Sequence, residues 1–303
     1  MPENYADTHR NVTFNNNVTA TLRQEPGILY PLCGSSASYS GSKACRIQNR
    51  FGRLKMQTKA ERNGNTNNVD LNSVARHIKV GPSADVAPLI DRDDQGTTEV
   101  ELTSPAVTET ADAARTYHDD MFGIGYFGDA WEGETGSTAI PFKAANILPH
   151  GGTGVTKAKL IDMRELLQKR NNKTMREKPV MFLFPEDQSQ LLNISEYADI
   201  DTNNFKPLVE GEIMPWLGFR FVCINPDSES LPTSFSNYFA DSGATRRLPV
   251  FMPSGMHRGI WTEFWGKISE RNDKKHSEQI YGEARSACVR TDEDKCFLFL
   301  SQG

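Results

Sequence analysis

Apolar positions in the second half of the chain recur with helical spacing in some segments and form continuous runs in others. Leu160, Met163 and Leu167 are three or four residues apart, which predicts an amphipathic helix with this side buried. A second helix is predicted to begin near Pro185, because proline suits the first turn of a helix. Three strands are predicted, at residues 179–184, 218–224 and 236–242. The alternation of helices and strands from Gly151 onwards predicts a compact α+β unit.

The first half of the chain contains one long predicted helix that begins near residue 104. Ser104 can cap its N-terminus, and Pro105 suits its first turn. Its apolar stripe is narrow and consists of Val107, Ala111, Ala114, Met121 and Ile124. Three glycines are expected to loosen its end: Gly123, Gly125 and Gly128. A loop and an edge strand are predicted to follow at residues 131–142.

Residues 45–80 contain two strand-like runs with a polar segment between them. The run 53–59 alternates apolar or uncharged side chains with mostly basic ones, and the run 76–80 alternates again. The intervening residues 60–72 offer almost no apolar side chain to bury. The pattern therefore predicts a long two-stranded hairpin with a mobile polar tip.

The N-terminal segment, residues 1–44, has too few apolar side chains to form a core by itself. Phe14, Val18 and Leu22 recur at helical spacing and predict a short helix. A flexible polar stretch follows at residues 34–43. Two interpretations remain open for this segment: a disordered tail, or an arm that lies on another surface.

The C-terminal segment combines a long strand, a charged turn and a second strand. Side chains alternate between residues 276 and 290. One face of this strand carries small side chains: Gly282, Ala284, Ser286 and Cys288. The charged turn at 291–295 leads into an apolar return strand at 296–300. We interpret the segment as scaffold.

Composition and charge narrow the class of protein. The chain has 303 residues, 24% of them charged and 37% hydrophobic, which is enough for one large domain or two smaller ones. A net charge of -5 argues against a strongly cationic nucleic-acid binder. No apolar run approaches the roughly 18 residues of a membrane helix, and the polar N-terminus does not resemble a signal peptide. We therefore expect a protein made inside a cell, with its five cysteines as reduced thiols.

Candidate catalytic residues have simpler structural explanations. The glycine-rich segment 150–157 resembles a phosphate loop, but Thr156 stands where that loop needs glycine. A turn leading into a helix capped by Thr156 explains the segment better. Cys223 lies in an apolar run and is expected to be a small core residue, although His257 could in principle approach it.

No metal or cofactor is expected either. In a straight strand His276 lies roughly 40 Å from Cys288, at about 3.3 Å per residue. Cys288 and Cys296 alone are too few ligands for structural zinc. The adjacent carboxylates of Asp119 and Asp120 point in different directions on a helix, and we interpret them as a solvated helix face.

Several segments of the sequence are unspecific when each is taken alone, but their order along the chain is much more specific. They are residues 101–120, 133–142, 154–171, 203–221, the stretch ISERNDKKHSEQIY at 268–281, and the closing strands with Arg290 and its acidic turn. In this order they resemble the major capsid proteins of tailed double-stranded-DNA bacteriophages, which have the Hong Kong 97-type fold. The resemblance covers about residues 45–300.

The resemblance implies an α+β capsid fold and a name for each of its parts. The expected parts are an N-terminal arm (1–44), an extended loop (45–90), a peripheral domain with a spine helix (91–150), an axial domain (151–266) and return strands of the peripheral domain (267–303). It also implies self-assembly as hexamers and pentamers into an icosahedral shell around phage DNA, without enzymatic activity.

The resemblance further implies partners and a location. The expected partners are other copies of the chain, a scaffolding protein, a portal, a possible decoration protein and double-stranded DNA contacted non-specifically, with no membrane. The expected location is the virion, after assembly in the host bacterial cytoplasm. Two alternatives remain: an encapsulin-like compartment with the same fold and, more distantly, a cytoplasmic cysteine hydrolase that uses Cys223 and His257.

The sequence also predicts a contact between subunits. The hairpin of one subunit is expected to lie across a neighbour, where its basic side chains meet acidic side chains of the long helix. The basic residues are Arg50, Arg53, Lys55, Lys59 and Arg62. The acidic residues are Glu109, Asp112, Asp119 and Asp120. One exposed ion pair contributes only about 0–1 kcal/mol, but a closed shell repeats it in every subunit.

Overall fold

The computed structural model describes residues 27–51, 56, 73–91, 103–170, 177–198, 213–225 and 245–302. Within these residues the chain forms three β-sheets and helices that pack on them, so the α+β prediction is confirmed. The predicted helix around Val18, most of the run 53–59 and the predicted strand at 236–242 lie outside the described residues.

The bounds of the elements follow the chain in order. The helices are α1 (Thr103–Phe127), α2 (Lys157–Arg170), α3 (Pro185–Leu192) and α4 (Ser195–Ala198). The strands are β1 (Ser35–Ser38), β2 (Ala44–Phe51), β3 (Ser73–Lys79), β4 (Ala84–Val86), β5 (Leu89–Ile90), β6 (Ala130–Glu132), β7 (Thr138–Ile140), β8 (Ile147–Leu148), β9 (Val180–Leu183), β10 (Arg220–Cys223), β11 (Thr245–Phe251), β12 (Met256–Arg271), β13 (Ser277–Arg290) and β14 (Cys296–Gln302).

The first sheet is built on the two long strands β12 and β13. They are antiparallel, with Met256 opposite Arg290 at one end and Arg271 opposite Ser277 at the other. β1 lies parallel to β12, and β4 and β5 lie along the other edge of β13. The small side chains predicted to share one face of β13 are all buried. Burial alternates as predicted from Ile280 to Ser286, whereas every residue from Ser286 to Arg290 is buried.

The second sheet, in the order β10-β9-β11-β14-β8, contains the main core. Leu160, Met163 and Leu167 of α2 are fully buried in this core, as predicted. The C-terminal half of α1 contributes Phe122, whose ring lies 5.5 Å from that of Phe251 between centroids. β9 of this sheet is a continuous apolar run because all four of its side chains are buried.

The last strand pairs in a different sheet from the one that the sequence suggests. Residues 267–303 are expected to form one set of return strands, whereas β14 pairs with β11 and β8 and not with β13. The short 3-10 turn Glu293–Lys295 redirects the chain, and Cys296, Phe297 and Phe299 are then buried in the main core. The strand pairing therefore cuts across the predicted boundary at residue 266.

The third sheet has the order β2-β3-β6-β7, and all its pairs are antiparallel. β2 and β3 pair antiparallel from Ala44 opposite Lys79 to Phe51 opposite Ser73. The second predicted run, 76–80, therefore lies in a hairpin, but its partner is residues 44–51 and not the predicted run 53–59. The tip of the hairpin lies outside the described residues. β7 is an edge strand, as predicted for residues 131–142.

The buried side of α1 differs from the predicted apolar stripe. Ala114 and Met121 are buried as predicted, but Val107 and Ile124 are 39% and 38% exposed. The buried side also contains Thr110, His118, Asp119, Phe122 and Tyr126. A hydropathy pattern misses this side because its polar side chains are hydrogen-bonded inside the protein.

The glycines of α1 permit close packing and do not loosen the helix. α1 continues to Phe127. A Cβ atom at Gly125 would lie 2.2 Å from the carbonyl oxygen of Cys288, so glycine is what allows α1 to lie this close to β13. A Cβ atom at Gly81 would lie 2.1 Å from the carbonyl oxygen of Ser286, which brings a second segment equally close to the same strand.

Candidate assembly site

The acidic side chains predicted to receive the hairpin do not form one exposed set. On α1, Glu109 is exposed and Asp120 is partly exposed. Asp112 is partly exposed and pairs with Arg115 of the same helix at 3.0 Å. Asp119 is only 1% exposed. The expectation that Asp119 belongs to a solvated helix face is therefore wrong.

The basic side chains of the predicted contact lie at the limit of the described residues or beyond it. Four of them lie outside: Arg53, Lys55, Lys59 and Arg62. The backbone of Arg50 belongs to β2 and pairs with Val74, but its side chain is outside the described part. The predicted contact between hairpin and helix thus stays a proposal.

Asp119 binds the N-terminal segment of its own chain. Its two carboxylate oxygens accept four consecutive backbone N–H groups at 2.9–3.0 Å, those of Gly27, Ile28, Leu29 and Tyr30. Burial raises the pKa of the Asp119 carboxyl, and the four N–H groups oppose this shift. We call residues 27–30 together with Asp119 the amide clasp. The clasp fixes the point at which the N-terminal segment enters the described fold.

Beyond the amide clasp, the N-terminal segment stays attached to the first sheet. The N–H group of Gly34 donates to the carbonyl oxygen of Pro253 at 2.8 Å. β1 then pairs with β12, where His257 Nδ1 lies 2.8 Å from Ser35 Oγ and His257 Nε2 lies 2.9 Å from Tyr39 OH. Residues 27–44 of the predicted arm are therefore an integral part of the fold.

These contacts separate the two residues of the hydrolase alternative. Both ring nitrogens of His257 are engaged by hydroxyl groups, and burial lowers the pKa of its imidazole. Cys223 ends β10 in a different sheet and is exposed, so the expectation of a buried core cysteine is wrong. His257 consequently does not serve Cys223 as a base in this structure.

Arg290 joins the end of α1, β7 and the acidic turn. Its guanidinium is fully buried and donates to the carbonyl oxygens of Tyr126, Gly128 and Ile140. It also donates to the Glu293 carboxylate at 3.0 Å. Removing one partner of a buried ion pair typically costs about 3–5 kcal/mol. The Arg290 and acidic turn noted in the sequence are thus in direct contact and form a structural junction.

Glu293 extends this junction to the third sheet. Arg76 of β3 is 1% exposed and contacts Glu293 at 3.4 Å and Glu132 of β6 at 3.0 Å. Burial raises the pKa of the Glu293 carboxyl, while Arg290 and Arg76 lower it. The two arginines therefore fix the base of the hairpin relative to α1 and the acidic turn.

The glycine-rich segment 150–157 is held by a lysine of α2. Thr156 caps this helix as predicted, because its Oγ1 accepts the backbone N–H of Lys159 at 3.4 Å. The Lys159 ammonium lies 2.8–3.2 Å from four carbonyl oxygens, those of His150, Thr153, Gly154 and Leu300. Burial lowers the pKa of this ammonium to about 8. The segment is therefore a loop whose conformation is held by Lys159 of the same chain.

Exposed apolar side chains are concentrated on β12. Phe264, Trp265 and Ile268 are 44%, 51% and 52% exposed. Trp265 packs edge-on against Tyr281 of β13, with 5.8 Å between ring centroids. Phe264 and Ile268 lie on one face of the paired strands and Trp265 lies on the opposite face, so the three side chains do not form one continuous surface.

Within the described ranges, no three His, Cys, Asp or Glu side chains lie close enough together to hold a metal ion. His276 pairs with Glu270 at 2.8 Å near the turn between β12 and β13, whereas Cys288 lies near the other end of β13. None of the described helices is long and apolar enough to cross a membrane.

Comparisons with known proteins identify the family. The chain matches the family described as phage capsid protein over residues 6–298, and it belongs to this family. No curated protein sequence matches the chain.

Solved phage capsids share its fold at low sequence identity. The capsid protein of the cyanophage P-SCSP1u aligns with a TM-score of 0.71 and 13% identity, over 97% of this chain and 93% of that one. The capsid protein of the cyanophage Pam1 aligns at 0.71 and 12%, over 99% and 98%. That of the Helicobacter pylori bacteriophage KHP30 aligns at 0.71 and 8%, over 99% and 97%. The expected Hong Kong 97-type fold is confirmed, and the chain is a major capsid protein, a subunit of an icosahedral phage shell.

Sequence reasoning missed the residues that attach the N-terminal segment. One signal was present: His118, Phe122 and Tyr126 recur every four residues and mark the buried side of α1. Asp119 lies next to this line, which would have placed it at the edge of the core. No comparable pattern indicates that His257 meets Ser35, because that contact joins distant parts of the chain.

Proposed function

We propose that this major capsid protein assembles as hexamers and pentamers into a shell that encloses the double-stranded DNA of a tailed phage. The observation that supports this most strongly is the family match over residues 6–298, since it spans nearly the whole chain. A capsid subunit acts by forming contacts, and we infer a structural role without catalysis.

The proposal extends to partners and location. A scaffolding protein, a portal and a decoration protein are the expected partners, and assembly would take place in the host bacterial cytoplasm before the shell becomes the virion. DNA would be contacted non-specifically. The net charge of -5 fits this, because a strongly cationic surface is not needed where the shell only encloses the genome.

The division into parts is likewise a proposal. The second sheet with α2 and α3 fits an axial domain, and α1 with the first sheet fits a peripheral domain with a spine helix. β14 belongs with the second sheet by its pairing, so the axial domain would include residues 296–302 in addition to most of 151–266. β2 and β3 fit the base of the extended loop.

Electron microscopy of the purified, expressed chain tests the shell directly. Closed particles with five-fold and six-fold clusters of subunits are expected. Particles recovered from a host that carries the phage should contain nuclease-protected double-stranded DNA. Protein cargo in its place would support the encapsulin-like alternative, and a chain that stays monomeric under all assembly conditions would contradict both.

The contact between hairpin and helix remains part of the proposal in a reduced form. Glu109, Asp112 and Asp120 are at least partly exposed on α1 and can receive basic side chains of a neighbouring hairpin. Asp119 is removed from this set because the amide clasp uses both of its oxygens.

Charge reversal in the hairpin tests this contact. Arg53→Glu combined with Lys55→Glu should leave thermal unfolding of the unassembled chain nearly unchanged but abolish most of the shell yield, because attraction becomes repulsion at every junction. A matched control is Arg164→Glu with Arg170→Glu, two exposed positions on α2 that lie outside the proposed contact. Wild-type shell yield from the hairpin double variant would show that the contact is not electrostatic.

A further inference from the structure

Two cysteine thiols meet where the N-terminal segment passes β13. Cys33 Sγ and Cys288 Sγ lie 4.0 Å apart, although the residues are 255 positions apart in the sequence. Cys33 directly follows the 3-10 turn Tyr30–Leu32, and Cys288 lies in β13. Both are free thiols. The pair is therefore a ready connection between the first described segment of the chain and the strand on which α1 packs.

The surroundings of the pair hold both thiols in place. The amide clasp fixes the backbone just before Cys33, and the bond from Gly34 to Pro253 fixes it just after. Cys288 is held from the other side, because its carbonyl group and Cβ lie against Gly125. A disulfide has a sulfur–sulfur distance of about 2.05 Å, so the two sulfur atoms need to approach by about 2 Å. Rotation about the Cα–Cβ bonds moves sulfur atoms over distances of this order.

We propose that Cys33 and Cys288 form a redox-controlled strap, an intrachain disulfide that fastens the N-terminal segment to β13 after the subunit has folded with both thiols reduced. The oxidant is a low-molecular-weight disulfide such as glutathione disulfide. The sulfur of Cys33 attacks one sulfur of the oxidant and releases one glutathione thiol. Cys288 then attacks the sulfur of Cys33 in this mixed disulfide and releases the second thiol. The chain loses two protons and two electrons, and the oxidant gains them.

Exposure decides the order of these two steps. Cys33 is partly exposed, whereas Cys288 is 8% exposed, so the dissolved disulfide reaches Cys33 first. The hydrogen bond with Cys288 and burial raise the pKa of the Cys33 thiol, while the nearby Arg258 guanidinium opposes the shift. The thiolate is the attacking species, so bond formation is slow at neutral pH and faster at alkaline pH. A chain that folds in a reducing cell interior therefore keeps both thiols until it meets an oxidising solution.

The strap has a consequence for the single chain that is independent of the proposed shell. A disulfide that closes a loop of this length restricts the unfolded chain and so stabilises the folded one. For a chain of this size we expect the thermal midpoint to rise by roughly 5–10 °C. The N-terminal segment would then stay attached even when the amide clasp opens, because the bond lies only three residues beyond Tyr30.

The experiment uses the full-length, unassembled chain, first reduced and then exchanged into excess glutathione disulfide at mildly alkaline pH. We expect the intact mass to fall by two hydrogen atoms and proteolysis to release one peptide that joins Cys33 to Cys288. The thermal midpoint should rise, and a reductant should reverse both changes. Cys33→Ser and Cys288→Ser should each abolish the joined peptide and the rise. Cys223→Ser is the matched control, since it removes an exposed cysteine that is not part of the pair and should leave both readouts unchanged.

Three results would overturn the strap. One is a glutathione adduct that persists on Cys33 in the wild-type chain, because it would show that Cys288 does not complete the exchange. Another is a disulfide from Cys33 or Cys288 to Cys296. The third is a wild-type chain in which neither cysteine is modified while Cys223 is, which would show that the pair is closed to the oxidant.

Discussion

Asp119 and His257 attach the N-terminal segment at two points about five residues apart along that segment. Asp119 accepts the backbone N–H groups of residues 27–30, and the ring of His257 lies between the hydroxyl groups of Ser35 and Tyr39. Neither residue acts through apolar burial. Each stabilises the fold because buried polar groups that lack partners are costly, and each supplies partners to a segment that has few apolar side chains of its own.

We expect Asp119→Ala to lower the free energy of unfolding by about 3 kcal/mol, because four backbone N–H groups lose a charged acceptor. Urea unfolding of the unassembled chain measures this. The control on the same helix is Asp112→Ala, which removes only a surface pair with Arg115 and should cost no more than about 0.5 kcal/mol. Equal effects of the two variants would show that the amide clasp contributes no more than a surface ion pair.

The buried imidazoles predict a loss of stability in acid. Burial lowers the pKa of His257 and of His118, so between the folded-state pKa and about 6.5 the unfolded chain binds more protons than the folded chain. Stability from these groups is therefore complete above about pH 6.5 and is lost as the pH falls through that window. Unfolding free energies measured from pH 7 to pH 5 should decline in the wild type and decline less in His257→Gln. An identical decline in both proteins would exclude His257 as a source.

At the scale of elements, the packing of α1 on β13 depends on the absence of side-chain atoms at particular positions. Gly125 faces the carbonyl of Cys288, and Gly282 of β13 faces Thr110 of α1, where a Cβ would lie 2.6 Å from the threonine methyl carbon. Helix and strand thus approach through a backbone–backbone contact at Gly125 and a backbone–methyl contact at Gly282. This explains why α1 packs closely along β13 although the predicted apolar stripe is only partly buried.

Gly125→Ala is expected to destabilise the chain by about 1–3 kcal/mol, because the added methyl group meets backbone atoms that cannot move without separating α1 from β13. The higher helix propensity of alanine, worth about 1 kcal/mol, acts in the opposite direction. Val107→Ala on the exposed side of the same helix is the control and should change stability little. Chemical denaturation gives both values, and a stabilised Gly125→Ala chain would mean that the close approach is not a constraint.

Local patterns predicted the helices α1, α2 and α3 and several strands, and long-range contacts account for most of what they missed. The α2 helix with Leu160, Met163 and Leu167 follows from periodicity alone, and so does β3, whereas the strand that pairs with β3 at residues 44–51 was not predicted. The sheet that receives β14 could not be predicted, because an apolar run such as residues 296–300 fits any covered position in a sheet. Asp119 was assigned to solvent for a related reason. Its hydrogen-bond partners lie about 90 residues away in the sequence, and a local pattern does not show them.

At the scale of the molecule, two apolar clusters join the three sheets within the described residues, and buried charges add a second kind of connection. Arg290 contacts α1, β7 and the acidic turn, and Arg76 joins the hairpin base to the same turn through Glu293. The base of the projecting hairpin is therefore fixed to the body by directional ion pairs and carbonyl contacts. A subunit that must place a projecting element accurately against neighbours benefits from such a junction, because hydrogen bonds depend on direction as well as distance.

The N-terminal segment gives the clearest separation between folding and assembly. Deletion of residues 1–26 leaves the amide clasp and Leu29 in place, so the unfolding free energy of the chain should stay close to that of the wild type. Deletion of residues 1–30 removes Leu29, which is 1% exposed, together with the four N–H groups bound to Asp119. This longer deletion should cost about 4 kcal/mol or more, because a buried leucine is lost and a buried carboxylate loses its donors.

Shells should be rare or aberrant in sedimentation for both deletions, if residues 1–26 form the arm that lies on a neighbour. Normal shells from the shorter deletion would show that residues 1–26 are only a tail, and equal stability of the two truncated chains would show that the clasp and Leu29 are dispensable for folding.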